Sequence, residues 1–411
     1  MKIYLVGGAV RDKLLGLKVK DNDYVVVGAT VDEMLAKGFK PVGKDFPVFL
    51  HPETHDEYAL ARTERKTAVG YHGFAFNADV SVTIEQDLSR RDLTINAIAQ
   101  DCETGEIIDP YHGQQDLNNK ILRHVSDAFA EDPVRILRIA RFSARYAHLG
   151  FKVAKPTNEL MQIMVKKGEV DALVAERVWQ ELSAALNETT PSEFIQVLRN
   201  CGALKVLFPE FNQLFGIPQT KCWHPEIDTG VHCMMAMNQA ANLANDVAFA
   251  VFTHDLGKGI TPKEILPSHK GHEKAGVPLV QAVCERLKVP AAYKKLAINV
   301  CRWHLHSHTA FELRAATILK VFQNIGAYQQ AENLQKFTVA CQADATGRLG
   351  MKDKPYPQAE YLQKCFQASL QVDTKALIAK GFSGEKLGYE ISQQRIKLIK
   401  KQKACYINPA K

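Results

Sequence analysis

Two aspartates, Asp21 and Asp23, alternate at the mouth of the apolar run Tyr24-Val25-Val26-Val27, shortly after the string Gly7-Gly8-Ala9-Val10-Arg11-Asp12. Residues two apart on a strand face the same way, so both carboxylates project side by side, roughly 7 Å apart along the backbone. Such a pair suits Mg²⁺, which takes oxygen ligands and keeps substrate phosphates in its shell. In a two-metal arrangement one ion activates an attacking hydroxyl and the other steadies the leaving group. A DxD in a polar turn is common without any metal; the double glycine ahead of it makes metal binding the leading explanation. That glycine pair follows the strand-like Ile3-Tyr4-Leu5-Val6 and opens a helix. Its backbone N–H groups can approach an anion closely, with Arg11 as a fixed charge. Neither GxGxxG nor GxxxxGK[ST] occurs, so dinucleotide and P-loop readings fail.

Two further stretches carry charge at helical spacing. Arg90-Arg91-Asp92-Leu93-Thr94-Ile95-Asn96-Ala97-Ile98 places Arg91, Asp92 and Asn96 opposite Leu93 and Ala97, the pattern of a charged surface helix. In Glu131 to Arg141 the residues Asp132, Arg135, Arg138 and Arg141 recur at every third position, away from Ile136, Leu137 and Ala140. From Arg135 to Arg141 that stripe rises about 9 Å, comparable to a nucleotide from base to triphosphate. An amphipathic helix with a basic face explains it equally well.

A second chemistry lies in the other half. Eight of the 14 histidines fall between His224 and His308, where even spreading would place about three. They include His232, the pair His254-Asp255 in Thr253-His254-Asp255-Leu256-Gly257-Lys258, then His269, His272 and His304, with Asp344 further on. Mixed imidazole and carboxylate ligands suit transition metals better than Mg²⁺. His269, His306 and His308 read as hydrogen-bonded structural residues.

The elements that must hold these groups fall into two kinds. Up to about Asp109 short β-like runs (Ile3 to Val6, Tyr24 to Val27, Phe46 to His51, Glu57 to Arg62, Glu106 to Asp109) mix with helices. From about Ser126 onward the periodicity is helical, as in Pro133 to Arg145, Glu176 to Asn187 and Pro191 to Asn200, and the remainder is expected to be all helical. Breaks are expected at Pro209 to Trp223 and near Pro355 to Pro357. The basic tail Arg395 to Lys403 is either a solvated helix face or a phosphate contact. A chain of 411 residues, 46% apolar and 24% charged, is ordinary globular material for two to four domains. The net charge of +7 permits a polyanionic partner without requiring one. Nine scattered cysteines without any CxxC argue against a disulfide framework or a zinc ribbon. No export signal and no apolar run long enough to span a membrane is read, so a cytoplasmic address without membrane association is expected.

GGAVRD with KDNDY, RRDLTINA, IIDPYHG and EDPVRILRIARF, in this order, resemble the motifs of the class II tRNA nucleotidyltransferases, the CCA-adding enzymes of the DNA polymerase beta superfamily, and most closely their bacterial multifunctional members. The likeness covers roughly the first 180 residues and extends to Glu176-Arg177-Val178-Trp179-Gln180-Glu181. The histidine-rich segment resembles the HD phosphohydrolase superfamily. These resemblances imply an α+β nucleotidyltransferase head at 1–125, a helical nucleotide-selecting and tRNA-binding region at 126–223, an HD domain at 224–330 and a helical tRNA-binding region at 331–411. They imply that Asp21 and Asp23 hold Mg²⁺, that Gly8, Arg11, Arg91, Arg138 and Arg141 bind CTP or ATP, and that Asp92 senses the ribose. Asp132 and Arg135 would pair with the base edge. His232, His254, Asp255 and Asp344 would bind a second metal, Ni²⁺ by expectation, with His272 and His304 nearby, for phosphatase and 2′,3′-cyclic phosphodiesterase chemistry; His254 and Asp255 would be catalytic. Glu57 is the candidate for a third carboxylate. The tRNA acceptor and TΨC arms are the expected partner, for a monomer or a homo-oligomer. The alternatives are a poly(A) polymerase of the same superfamily and an HD phosphohydrolase with a non-catalytic tRNA-binding head.

Overall fold

The computed structural model describes residues 1–42, 48–66, 74–77 and 79–407, and it divides into two compact units. The first comprises 1–182 and 193–207, the second 183–192 and 208–411. Residues Phe46 and Pro47 of an expected strand lie outside the described residues.

The first unit begins β1 (Lys2–Val6), α1 (Gly8–Leu14), β2 (Asp23–Val27), α2 (Val31–Ala36), β3 (Lys40–Pro41), β4 (Val48–Leu50), β5 (Glu57–Leu60), β6 (Thr63–Lys66) and β7 (Phe74–Asn77). It continues with α3 (Ile84–Ser89), β8 (Ala99–Asp101), β9 (Ile107–Ile108), α4 (Gly113–Asn119) and β10 (Ile121–Leu122). Seven strands form one sheet in the order β3-β4-β5-β2-β1-β8-β9. The sheet is mixed: β1 runs antiparallel to β2 and β8, whereas β2 runs parallel to β5. Alternation explains its two cores. Tyr4, Val6 and Val25 pack with Ala97 and Ala99 in one cluster, while Val26 packs with Met34, Phe49 and Leu60 in another. Two helices start on capping boxes, Thr30 with Glu33 on α2 and Thr83 with Gln86 on α3, which satisfy otherwise orphaned amides. The register pairs Val6 with Asp23, so the chain enters its glycine turn beside the acidic end of β2.

Helices follow: α5 (Val134–Tyr146), α6 (Lys155–Lys166), α7 (Ala175–Leu186), whose last turn belongs to the second unit, α8 (Ser192–Cys201) and α9 (Ala203–Leu207). The expectation of an all-helical remainder fails at one point, since β11 (Lys152–Val153) pairs in parallel with β10. Lys152 and Ala154 donate backbone bonds to Lys120 and Leu122, a return the helical periodicity did not signal.

The second unit is helical: α10 (Pro209–Asn212), α11 (Thr229–Gln239), α12 (Asn245–Thr253), α13 (His272–Arg286), α14 (Ala291–His308), α15 (Ala315–Asn324), α16 (Glu332–Thr346), α17 (Pro357–Ser369), α18 (Thr374–Ala379) and α19 (Gly384–Ile407). Its core is aromatic, with Phe249, Phe252, Phe322, Phe337 and Phe366 all buried. Part of the basic tail on α19 is packed: Arg395 sits 3.6 Å over the Tyr328 ring, and Lys403 donates to the Leu313 carbonyl. All nine cysteines are unpaired, and no described helix is long and apolar enough to cross a membrane.

Candidate active sites

In the first unit a polar cavity of about 600 Å³ is lined by Gly7, Gly8, Arg11, Asp21, Asp23, Arg91, Asp92, Asp132, Arg135, Arg138 and Arg141. Every residue singled out in the first half of the sequence therefore lines one space, apart from Glu57. Glu57 is the register partner of Asp23 on β5 but does not line the cavity.

The glycine turn is a steric requirement. Gly7 has φ +64°, and a Cβ there would come within 2.7 Å of Arg91 Nη1. Asp21 precedes β2 and Asp23 is its first residue. Crowding by protein raises the Asp23 carboxyl above its ordinary range, with Asp21 and Asp56 adding to this and Arg91 opposing it. A carboxylate so placed beside another gains from a bound cation, so the donor set fits a hard divalent ion.

The stretch Arg90 to Ile98 does not form the expected surface helix. α3 ends at Ser89, a 3₁₀ turn spans Thr94–Asn96, and Asp92, Thr94 and Asn96 are buried. Burial gives their polar atoms specific partners. Asp92 Oδ1 accepts from Asn96, and its Oδ2 accepts from Arg138 Nε at 2.7 Å. Burial works against the Asp92 charge, but Arg138 and Asn96 outweigh it and hold the carboxyl down at about 2. Asn96 Oδ1 in turn accepts from Arg11 Nη1 at 2.6 Å.

On α5 the arginines diverge. Arg141 donates to Glu181 at 2.7 Å. Arg135, only 9% exposed, donates to the carbonyls of Ala128 and Arg90 at 2.9 and 2.6 Å. Asp132 Oδ1 accepts from the Val134 amide just ahead of the helix. The guanidinium groups of Arg11, Arg138 and Arg141 surround the Phe142 ring at 5.4, 5.7 and 5.0 Å from its centroid.

Several cavity residues went unassigned in the sequence: Asp12, Arg62, Arg90, Asn96, Phe142 and Arg145. Among them Asp12 accepts from Arg11, Arg145 and Tyr146 at 2.8, 3.2 and 3.0 Å. It stands inside the GGAVRD string, and helical spacing would have offered Arg145 as the next step of the stripe.

In the second unit α11, the end of α12, the start of α13, α14 and α16 bring the histidines together. His232 Nε2 lies 3.0 Å from Asp344 Oδ1, and His254 Nε2 lies 3.2 Å from Asp255 Oδ2 and 3.6 Å from Asp344 Oδ1. On the other side His272 and His304 Nε2 lie 3.1 and 3.6 Å from Asp255 Oδ1. Among the described residues four overlapping ligand sets result: His232/His254/Asp344, Asp255/His272/His304, His224/Glu226/His232 and Cys233/His254/Asp255. Both Asp255 oxygens and His254 Nε2 are buried without a hydrogen bond, although charged neighbours stand within 4 Å, which fits a metal-binding role. Burial opposes charge on Asp255, but His254 and Lys258 outweigh it and hold its carboxyl far below the usual range. Burial likewise opposes charge on His254, and Asp255 and Asp344 lift it to about 10.

His269 and His306 take no part in any of these ligand sets, and His269 bonds to Thr261 and the Pro218 carbonyl. His308 is hydrogen-bonded, as expected, but its partner is Asp344 Oδ2 at 2.7 Å. Glu226, also unassigned, accepts from His224 Nδ1 at 3.0 Å, and its Oε1 lies 3.1 Å from His232 Nδ1. Close packing permits this convergence: a Cβ on Gly257 would collide with the His272 carbonyl and the Gly276 backbone.

The family described as Poly A polymerase head domain matches residues 3–123. A probable RNA and SrmB-binding site of polymerase A matches 150–215, and the HD domain matches 229–346, a span that includes Asp344. The multifunctional CCA protein of Thioalkalivibrio sulfidiphilus is 57% identical over 98% of this chain and 99% of its own. That of Teredinibacter turnerae is 58% identical over 97% and 98%. The fold is similar to that of the Bacillus stearothermophilus CCA-adding enzyme in complex with CTP, with a TM-score of 0.65 at 21% identity over 97% of this chain and 89% of that one. The Thermotoga maritima CCA-adding enzyme complexed with tRNA gives 0.61 at 20% identity, over 98% and 91%.

Proposed function

Because the chain belongs to the multifunctional CCA protein family, we propose that its first unit builds the 3′-terminal CCA of tRNA from CTP and ATP without a nucleic-acid template. The observation that carries this reading is the convergence of Asp21, Asp23, the glycine turn and the arginines on one cavity. In the reaction the tRNA 3′-oxygen bonds to the α-phosphorus, the bond to the bridging oxygen breaks, pyrophosphate leaves, and the hydroxyl proton passes to solvent. Mg²⁺ held by Asp21 and Asp23 supplies hydroxyl activation and charge neutralisation. Gly8, Arg11 and Arg91 face the triphosphate, Arg138 and Arg141 add positive charge, and Asp92 reads the ribose. Asp132 presents an acceptor to the base edge, where an unmatched polar group is costly, and Arg135 lines the same space while its fork donates to the Ala128 and Arg90 carbonyls. Catalysis is then mostly positioning and charge stabilisation.

The HD centre is proposed to be a metal-dependent phosphatase and 2′,3′-cyclic phosphodiesterase, with Ni²⁺ held by His232, His254, Asp255 and Asp344. Water opens the cyclic ester at one P–O bond, and a second hydrolysis releases inorganic phosphate and a free hydroxyl. This cleaning step yields the end that the first unit extends. The helical regions at 126–223 and 331–411 are proposed to carry tRNA through phosphate and sugar contacts, so binding weakens as salt rises.

Incubation with tRNA lacking its CCA, labelled CTP and ATP, and Mg²⁺ tests the reading. Addition of C, C and A followed by a halt supports it. A run of A points to a poly(A) polymerase, and no incorporation to a non-catalytic head.

A further inference from the structure

The histidine centre opens into a cavity of about 680 Å³, reached past Lys258, His272 and His308. That volume is in the range of sites for nucleotide-sized ligands. Trp223 lines its rim and is 68% exposed, the most exposed large apolar side chain among the described residues. A single exposed apolar residue is ordinary on a surface, so its exposure alone decides nothing.

Its surroundings do. The backbone that carries the indole is pinned on both sides. The Trp223 amide donates to the Thr220 carbonyl at 3.0 Å, and its own carbonyl accepts from Arg348 Nη1 at 3.4 Å. The next residue, His224, is held by Glu226. Arg348 also reaches the centre, with Nη2 3.9 Å from Asp344 Oδ1, and its Nε is buried without a hydrogen bond. One guanidinium thus spans from the ligand cluster to the rim. Lys270 and Lys354 line the same cavity, against the single acid Glu312. The arrangement runs from metal ligands through cationic donors to an exposed indole on a held backbone, the order in which a nucleotide presents phosphate, sugar and base.

We propose that Trp223 is a base-stacking platform for the HD centre, which therefore selects a ribonucleoside bearing a 2′- or 3′-phosphate, or its cyclic ester, over phosphate esters that lack a base. The inference rests on the hydrolase reading above. A base stacks on the indole while its phosphate faces the histidines, and any of the four bases is accepted because each has a π-face.

The test measures kcat/KM of the full chain, loaded with Ni²⁺, on cytidine 2′,3′-cyclic phosphate and on glycerol 1,2-cyclic phosphate, which carries the ring phosphate without a base. An oligoribonucleotide ending in the cyclic phosphate is run beside the free nucleotide, to separate an RNA end from a small-molecule substrate. In Trp223→Ala the ratio of cytidine to glycerol substrate is expected to fall at least about fivefold, through KM, and to recover in Trp223→Phe. A ratio equal to that of the wild type in Trp223→Ala overturns the platform while leaving the hydrolase intact. A wild type that hydrolyses none of the three overturns the hydrolase reading and the platform with it. Thermal melting of each variant verifies that the fold is kept.

Discussion

Arg138 Nε donates to Asp92 Oδ2 across 2.7 Å, joining α5 to the buried 3₁₀ segment through residues 46 apart in the chain. Asp92 is 7% exposed, and the bond orients both groups at the cavity. Its carboxyl is held at about 2, below the ordinary value near 4. A depressed carboxylate stabilises the fold above its unfolded pKa and loses that contribution as pH falls through the folded one. Asp92→Asn should cost about 1–2 kcal/mol at pH 7, discounted because the Arg138 side chain is 37% exposed. Urea midpoints of the two proteins should differ by a constant amount above about pH 5, narrow as pH falls below about 4, and meet near or below about pH 2. A gap that widens in acid would refute the assignment.

Arg135 serves two ends at once. Its bonds to the Ala128 and Arg90 carbonyls make it a clasp under the cavity, and removing it takes a donor from two half-buried acceptors. Arg135→Ala is expected to lose about 2–3 kcal/mol of stability and also its discrimination between CTP and ATP. Arg135→Lys should restore part of the stability without the discrimination, because an ammonium cannot reproduce a planar fork. Denaturant titration and single-nucleotide incorporation distinguish the two effects.

Gly7→Ala should raise the KM for CTP at least about tenfold, since the new methyl displaces Arg91 and the positive φ is strained. The cost in stability should be about 1–3 kcal/mol. An unchanged KM would show that Arg91 has no need of that position.

His308→Ala should weaken metal binding to the histidine centre about 10- to 100-fold, because Asp344 loses the imidazole that orients it. Isothermal titration of the metal-stripped protein with Ni²⁺ measures this directly. Chelation of the metal should abolish cyclic phosphate hydrolysis, and returning Ni²⁺ should restore it.

Asp23→Ala and Asp255→Ala should separate the two chemistries. The first is expected to lose at least about a thousandfold in nucleotide addition and to keep cyclic phosphate hydrolysis, and the second the reverse. Joint loss of both activities in either variant would count against two independent centres.

Local pattern made much of this legible. Short β-like runs marked β1, β2 and β5, and 3.6-residue periodicity marked α5, α7 and α8, because each is a local record of what a single element buries. The glycine turn and the two aspartates were readable for a similar reason: neighbours in the chain stay neighbours in space. Arg90 to Ile98 misled, since its charged residues imitate a helix face while Asp92 and Asn96 are buried with partners.

What the sequence determined by itself is the set of chemical groups and the elements that carry them: acids beside a strand, arginines along a helix, histidines clustered in one stretch. Tertiary packing alone decided which groups meet. It bound Arg135 to backbone carbonyls, gave Asp12 to Arg145 and Tyr146, and set His308 against Asp344. The physical reason is that a hydrogen bond is fixed within a few tenths of an ångström. Residues 133 or 36 positions apart reach that precision only once the helices between them have packed.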